Sequence, residues 1–197
     1  MLLVLGDSLS AGYGLARGEG WVSLLEKRMQ AGASKARKGW QIVNASISGE
    51  TTAGGRSRLT DLLARHKPTL VIIELGSNDA LRGLPLKAAT ENLREMLKAA
   101  QAAGASTMLV GMQMPPNYGP AYARQFEQMY QKLATETDSA LVPFLLAGFG
   151  DDPAWFQADG IHPNAAAQSK MLDNAWSVLE GLLVEARLKF LTQQAIC

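Results

Sequence analysis

The sequence has very little of the chemistry that disulfide frameworks and metal centres need. Its 197 residues include one cysteine, Cys197, and two histidines. A single cysteine at the last position excludes an intrachain disulfide, a cysteine-rich zinc site and a cysteine nucleophile held in the core. The cysteine count does not indicate whether the protein works in an oxidising or a reducing compartment. With only two histidines, the sequence offers two candidates for a histidine general base.

Charge of one sign and long apolar runs are also scarce. The net charge is +1, aromatic residues make up 7% of the chain, and lysines and arginines do not cluster. We therefore expect no nucleic-acid partner, because nucleic-acid binding leaves a basic footprint. We also expect no stable membrane insertion, because no run of about 18 apolar residues is present. The first apolar run begins at residue 2, which leaves no room for a signal peptide; a leader removed and replaced by Met1 would leave the same sequence.

Composition and patterning predict one α/β domain over residues 1–197. The chain is 47% hydrophobic, enough for one compact domain with a sizeable core. Apolar runs typical of strands alternate with segments of helical apolar spacing, and the runs lie at residues 2–5, 41–45, 70–75, 107–112 and 140–145. This alternation predicts a five-stranded parallel sheet with helices on both faces, a three-layer fold.

Polar blocks follow four of the predicted strands. Ser8 comes after the first strand, Gly49 after the second, Asn78 after the third, and residues 159–163 after the fifth. In open parallel sheets, ligands bind outside the carboxyl ends of the strands. We therefore expect the four blocks to meet at one edge of the sheet and to form a site.

Residues 6–10, which read Gly-Asp-Ser-Leu-Ser, place a serine directly behind a buried strand. If a helix begins there, Ser8 projects from its first turn, where unpaired N–H groups and the helix dipole favour negative charge. That position suits a nucleophile. The alternative is that Asp7 or Ser8 only caps a helix.

The two histidines lie in different settings. His66 lies near the end of a helical pattern, and we interpret it as structural. His162 follows Asp159 by three residues, and Gly160 permits a turn between them, so the carboxylate can reach the imidazole within one loop. An imidazole oriented by a carboxylate can take the proton of a serine, as acyl transfer requires. The alternative is a turn in which Asp159 caps the local backbone and His162 is incidental.

Acyl transfer also needs hydrogen-bond donors fixed around a tetrahedral oxyanion. The candidates are the backbone N–H groups of Ser8 and Gly49 and the side-chain amide of Asn78. A glycine at 49 would let the main chain approach the substrate closely. The alternatives are an ordinary turn glycine at 49 and a helix cap at Asn78.

Together, these blocks resemble those of the SGNH (GDSL) hydrolase superfamily. The matching segments, in order and spacing, are residues 6–10, Gly49 within Asn-Ala-Ser-Ile-Ser-Gly, Gly-Ser-Asn-Asp at 76–79 and Asp-Gly-Ile-His-Pro at 159–163. Residues 81–83, residues 116–119 and the beginning of the chain through Tyr13 are similar to the bacterial multifunctional acyl-CoA thioesterase I, lysophospholipase L1 and arylesterase group. The resemblance runs from residue 3 to about residue 180.

The resemblance implies a flavodoxin-like fold, no cofactor and an acyl-enzyme mechanism. Ser8 is the implied nucleophile, His162 the base and Asp159 its orienting carboxylate. Ser8, Gly49 and Asn78 are the implied oxyanion hole. The implied partner is a small-molecule acyl ester or thioester, with short to medium acyl chains, aryl esters, acyl-CoA and lysophospholipid as candidates.

Several points go beyond the four blocks. The sequence leaves the oligomeric state open, with a monomer favoured. The resemblance implies a location in the periplasm or outside the cell, and a cytoplasmic location is also compatible with a chain that shows no signal peptide. Ser77 stands where this group usually has glycine, and it could stiffen the loop that carries Asn78.

The tail at residues 184–197 extends past the resemblance and could be an amphipathic turn, an interaction segment or a cloning artefact. The Gly-x-Ser-x-Gly elbow is absent, which disfavours an α/β-hydrolase.

The loops after the third, fourth and fifth strands supply apolar side chains that we expect to wall an acyl pocket. These residues are Leu81, Leu84, Met112, Met114, Pro115, Tyr118, Leu146, Phe149, Trp155 and Phe156. Apolar walls favour an acyl chain over a sugar, and some of these residues could instead be core beneath long loops.

Two other functions stay open. A carbohydrate O-acetylesterase would use the same catalytic blocks with another pocket, and a non-catalytic lipid-binding protein of this fold would not need Asp159 and His162 as a couple.

Overall fold

The computed structural model describes residues 1–31 and 39–194. The strands within this part are β1 (Leu2–Gly6), β2 (Ile42–Asn44), β3 (Leu70–Glu74), β4 (Ser106–Val110) and β5 (Ala140–Val142). The α-helices are α1 (Ser8–Ala11), α2 (Trp21–Ala31), α3 (Thr52–His66), α4 (Ser77–Leu81), α5 (Leu86–Ala102), α6 (Pro120–Glu136) and α7 (Gln168–Gln194). The lone cysteine, Cys197, lies outside the described residues.

The strands form one parallel sheet in the order β2-β1-β3-β4-β5. Every residue of β1, β3 and β4 is buried, as expected for strands that helices cover on both faces. The edge strands β2 and β5 are three residues long and only partly buried. The prediction of a five-stranded parallel α/β fold is confirmed, although the runs at residues 41–45 and 140–145 form shorter strands than their apolar pattern indicated.

The helices form two packed groups around this sheet. One group pairs α2 with α7, and the other joins α5 to both α3 and α6. The largest fully buried side chains include Trp21 in α2 and the edge-to-face pair Phe126 and Tyr130 in α6. Burial of these aromatic rings and of the central strands makes one continuous core.

Two very short helices begin where central strands end. Asp7 caps α1 by accepting a hydrogen bond from the Leu9 N–H, and the helix stops at Gly12 in the left-handed conformation (φ 75°). Helix α4 follows Gly76 (φ 121°), where a Cβ would approach the Tyr130 hydroxyl to 2.5 Å. A side chain larger than hydrogen therefore does not fit at Gly76. These turns place Ser8 and Asn78 at the carboxyl ends of neighbouring strands.

The last helix continues further than the sequence indicated. Asn164 caps a short 3-10 turn at residues 165–167 that leads directly into α7. Residues 184–194 of the predicted tail continue α7 without a break, and residues 195–197 lie outside the described part. Among the described residues, none of the helices combines the length and apolar character needed to cross a membrane.

Candidate active site

Ser8, His162 and Asp159 form a continuous chain of hydrogen bonds. The His162 Nε2 atom lies 2.9 Å from Ser8 Oγ, and His162 Nδ1 lies 2.7 Å from Asp159 Oδ2. Ser8 is the first residue of α1, whereas Asp159 and His162 belong to the irregular segment between β5 and α7. The fold therefore joins a serine near the beginning of the chain to a histidine 154 residues later.

Asp159 uses its two oxygens for two purposes. Its Oδ1 accepts the backbone N–H groups of Ile161 (2.9 Å) and His162 (3.0 Å), while Oδ2 contacts the imidazole. The backbone bond from His162, then the imidazole and the Ile161 N–H, lower the pKa of Asp159 to about 2. Asp159 is thus ionised at neutral pH, and it favours the tautomer with the proton on Nδ1 and a free lone pair on Nε2. Asp159 thus contacts both the local backbone and the imidazole, and its role in catalysis stays a prediction.

The loop that carries His162 is tied to the turn after α1. The His162 ring packs against Tyr13, with 4.5 Å between ring centroids and 41° between planes. Gln157 donates from Nε2 to the carbonyl oxygens of Tyr13 (2.8 Å) and Pro163 (3.1 Å), and its backbone N–H donates to the His162 carbonyl (2.8 Å). These bonds fix the imidazole and Tyr13 relative to each other. The sequence analysis assigned no role to Tyr13 or Gln157.

Asn78 lies beside the turn that carries Ser8, and a hydrogen bond to Asp7 orients its side-chain amide. Its Nδ2 donates to Asp7 Oδ2 at 3.0 Å, while Asp7 Oδ1 accepts from the Leu9 N–H. A side-chain amide has two N–H groups, so one bond to Asp7 leaves the second available at the site. Asp7 therefore determines that Asn78 presents its nitrogen as a donor.

Gly49 and Asn78 lie on opposite sides of Ser8, because β1 lies between β2 and β3. The loop of Gly49 is joined to the end of β1 by a bond from the Ile47 N–H to the Gly6 carbonyl (3.0 Å). The Gly49 carbonyl accepts from Arg82 Nη2 (2.8 Å), at the end of the helix that carries Asn78. Gly49 has a φ of 80°, which favours glycine. The two predicted oxyanion donors outside Ser8 are thus connected to each other through Arg82.

The carboxyl group of Glu74 is fully buried and lies beneath the turn that carries Ser8. Its Oε2 accepts from Ser10 Oγ (2.8 Å) and from the Asp7 N–H (3.4 Å), while Oε1 has no hydrogen-bond partner among the described residues. Burial, with the charge of Asp7, raises the pKa of Glu74 well above its usual range. Burial also raises the pKa of Asp7 to about 6. Burial therefore favours the protonated, neutral form of Glu74.

Sequence reasoning did not identify Glu74 as part of the site. It is the last residue of β3, in a run that the apolar pattern identified only as a central strand. The available signal was a carboxylate in an otherwise aliphatic strand, since buried acidic side chains are rare unless they are hydrogen-bonded.

A second buried carboxylate, Asp79, anchors α4. Its oxygens accept from the Thr52 backbone N–H (2.8 Å) and from Thr52 Oγ1 (2.6 Å). Asn92 in turn donates from Nδ2 to Thr52 Oγ1 (3.1 Å). The neighbouring Ser77 Oγ is buried and has no partner within the described part of the chain, and stiffening of this loop by Ser77 stays a prediction.

His66 is the last residue of α3, at a helix end as expected.

The predicted pocket residues divide by exposure. Leu81, Leu84 and Tyr118 are exposed by 40%, 41% and 38%. Pro115 is also exposed, and Trp155 and Phe156 are half-buried. The other four pack in the core: Met112, Met114, Leu146 and Phe149. Contact of any of the ten with a substrate stays a prediction, and the six accessible side chains are the ones placed to make it.

Comparisons with known proteins identify the family of this chain. The family model of the GDSL-like Lipase/Acylhydrolase family matches residues 4–170. Esterase TesA of Pseudomonas aeruginosa is 50% identical over 184 residues, covering 92% of this chain and 89% of that protein. Thioesterase 1/protease 1/lysophospholipase L1 of Escherichia coli is 43% identical over 172 residues, covering 87% and 79%.

A solved structure is similar throughout the fold. The psychrotrophic esterase EstA from Pseudoalteromonas sp., in a structure inhibited by monoethylphosphonate, matches with a TM-score of 0.85 and 40% identity. The match covers 92% of this chain and 97% of that one. The resemblance drawn from the four sequence blocks is confirmed, and this chain belongs to the GDSL-like lipase/acylhydrolase family.

Proposed function

We propose that this protein is a serine hydrolase that cleaves carboxylic esters and thioesters through an acyl-enzyme. The observation that carries the proposal is the unbroken hydrogen-bond chain from Ser8 Oγ through His162 to Asp159 at the carboxyl edge of the sheet. A lipid carrier would have no use for a carboxylate that fixes an imidazole against a serine. Relatives named esterase and thioesterase, similar over most of their length, support the same class of small-molecule acyl substrate.

In the first step, Ser8 Oγ attacks the acyl carbonyl carbon while His162 Nε2 accepts the serine proton. The carbonyl π electrons move to the oxygen, and the resulting oxyanion accepts hydrogen bonds from the N–H groups of Ser8 and Gly49 and from Asn78 Nδ2. Asp159 stabilises the imidazolium without taking its proton, because hydrogen bonds hold the pKa of Asp159 at about 2.

In the second step, the tetrahedral intermediate collapses and the bond to the leaving oxygen or sulfur breaks. His162 gives its proton to that atom, which departs as an alcohol or thiol and leaves Ser8 acylated. A water molecule then attacks the acyl group, with His162 again acting as base and then as acid. This second half of the cycle releases the carboxylic acid and regenerates the hydroxyl of Ser8.

Hydrolysis of p-nitrophenyl butanoate and butanoyl-CoA by the purified protein tests the proposal. We expect turnover of both, and a loss on the order of 10⁶-fold in kcat for Ser8→Ala, as for other serine nucleophiles. The fold should persist, because the Ser8 hydroxyl makes its bond to His162 rather than to the core. Absence of turnover in the wild-type protein would instead favour the lipid-binding alternative.

The two histidines provide a matched control. His162→Ala should lose activity, whereas His66→Ala at the end of α3 should keep it. An organophosphonate ester should add one adduct per chain, and mass spectrometry of the digest should place it on the peptide that contains Ser8. An adduct on any other peptide would show that the nucleophile has been assigned wrongly.

A further inference from the structure

Tyr13 lies against the imidazole of His162 but has no part in the chemistry described above. Its ring centroid is 4.5 Å from that of His162, and 52% of the side chain is exposed. Aromatic side chains usually bury most of their area. An aromatic ring that covers one side of the predicted base and presents the rest of its surface to solvent is available to contact a ligand.

The ring is held in this position by bonds at both ends of its own residue. The Tyr13 N–H donates to the Ser8 carbonyl (3.1 Å), and the Tyr13 carbonyl accepts from Gln157 Nε2 (2.8 Å). Gly12 and Gly14 on either side have φ values of 75° and 72°, and a Cβ at Gly14 would overlap the Gln157 amide. The backbone that carries the ring is thus fixed before a ligand arrives, and the ring packs on His162; both lower the entropy cost of binding.

The position relative to His162 indicates which part of a substrate would meet Tyr13. The proton that His162 Nε2 delivers goes to the departing oxygen or sulfur, so the leaving group must lie beside the imidazole. The exposed part of the Tyr13 ring lies beside that imidazole. The accessible residues predicted to wall the acyl pocket instead include Leu81, Leu84 and Tyr118, which follow β3 and β4.

We propose that Tyr13 is a specificity-determining residue that recognises the leaving group and favours an aromatic ring over a saturated ring of the same size. The inference rests on the proposed function, since it concerns the alcohol or thiol released in that reaction. A ring placed edge-on or offset against Tyr13 gains attraction beyond its buried area, worth about 2- to 12-fold in kcat/KM.

The test compares benzyl butanoate with cyclohexylmethyl butanoate, with acid release followed by titration. Both esters have the same acyl group and carry a six-membered ring on one methylene, so the aromatic character of the ring is the main difference. We expect Tyr13→Phe to keep the wild-type ratio of kcat/KM values, benzyl over cyclohexylmethyl. In Tyr13→Leu the ratio should fall by about 2- to 12-fold. Comparing variants removes any difference in intrinsic reactivity between the esters.

Two controls separate recognition from other effects. Tyr118→Leu removes an exposed aromatic ring on the acyl side and should leave the ratio unchanged. Melting temperatures of the Tyr13 variants should match that of the wild type, because the ring is half exposed. An unchanged ratio in Tyr13→Leu, or an equal loss on both esters, would overturn the inference, and the second result would make Tyr13 a positioning residue for His162. If the wild type hydrolysed neither of these esters but still turned over p-nitrophenyl butanoate, the inference would be rejected and the proposed function would stand. Absence of turnover on all three esters would reject both.

Discussion

At the scale of single residues, we predict that the carboxylate of Asp159 is required for turnover. We expect Asp159→Asn to lower kcat by about 10,000-fold with little change in fold. An amide at this position can donate to His162 Nδ1, which moves the imidazole proton to Nε2 and removes the acceptor for the serine proton. Steady-state kinetics with p-nitrophenyl butanoate give the loss, and circular dichroism checks the fold. A variant within tenfold of wild type would contradict the role assigned to Asp159.

The same residues predict how activity depends on pH. Because the pKa of Asp159 is about 2, this carboxylate stays ionised over the range in which the enzyme is assayed. The fall of kcat/KM in acid should therefore come from groups other than Asp159. These are the imidazole of His162, which must accept the serine proton, and Asp7, which orients Asn78 and whose pKa burial raises to about 6. A pH profile measured from pH 4 to 8 should show an acid limb that His66→Ala leaves in place. Displacement of that limb in His66→Ala would mean that the wrong histidine was chosen.

Glu74 predicts a pH dependence of stability. The folded chain keeps a proton on Glu74, because burial raises its pKa, whereas the unfolded chain loses that proton above about pH 4.3. A group that binds more protons when folded makes the free energy of unfolding fall as pH rises from there towards the raised pKa. Glu74→Gln cannot titrate, so its stability relative to wild type should increase with pH. Urea denaturation at several pH values measures the difference, and a difference independent of pH would refute the assignment.

Glu74→Leu is the matched control for that experiment. It leaves the Ser10 hydroxyl and the Asp7 N–H without their acceptor, which should cost about 1–3 kcal/mol for each buried group at every pH.

The residues predicted to react, Ser8, Asp159 and His162, lie in hydrogen-bond contact, but the residues that hold them in place were missed. Ser8, Asp159 and His162 are recognisable because their types and spacing suit the chemistry. Glu74 and Tyr13 act through contacts with residues distant in the chain, such as the bond from Ser10 across 64 positions to Glu74. No local pattern reports such a contact. The roles of a buried acid in a strand and of an exposed ring between two glycines can be inferred only once the residues that contact them in the folded chain are known.

At the scale of elements, the buried carboxylate of Asp79 joins α4 to the first turn of α3 through Thr52. Asp79→Ala should lower the free energy of unfolding by about 1–3 kcal/mol, because Thr52 loses acceptors for two buried donors. It should also lower kcat, because α4 carries Asn78. Thr52→Val removes only the hydroxyl and should have a smaller effect on both. Urea denaturation and kinetics measure them, and full stability in Asp79→Ala would contradict this anchoring role.

Element prediction succeeded where the burial pattern was strong. The runs in β1, β3 and β4 were found because strands buried on both faces are continuously apolar. Helices α1 and α4 are four and five residues long, too short to display a helical period. The uninterrupted course of α7 to Gln194 was missed because the family resemblance ended before the helix did.

At the scale of the whole molecule, the site depends on the parallel topology. Ser8, Gly49, Asn78 and His162 follow four different strands or strand-to-helix connections, and they meet because all the strands end at one edge. Each right-handed crossover returns the chain to that edge. The sequence could predict this convergence from the alternation of elements alone. It could not predict which loop residues face the solvent, because that depends on how each loop packs on the sheet.

The exposure of those loops leads to a prediction about acyl length. Leu81, Leu84 and Tyr118 offer exposed apolar surface, and each methylene buried against it could contribute up to about 0.8 kcal/mol. We therefore expect kcat/KM for p-nitrophenyl esters to rise from acetate towards butanoate or hexanoate. Leu84→Ala should flatten this rise with little effect on acetate.

A variant of Phe149 distinguishes a core residue from a pocket residue in the same measurements. Phe149 was predicted to line the pocket, but it is 1% exposed and packs in the core near Trp155. Phe149→Ala should therefore cost about 3–5 kcal/mol of stability, whereas Leu84→Ala should leave stability nearly unchanged. Thermal unfolding and kcat/KM over the ester series distinguish the two outcomes. Turnover of acetylated sugars much faster than of the butanoate ester would reject the acyl-pocket interpretation and favour a carbohydrate esterase.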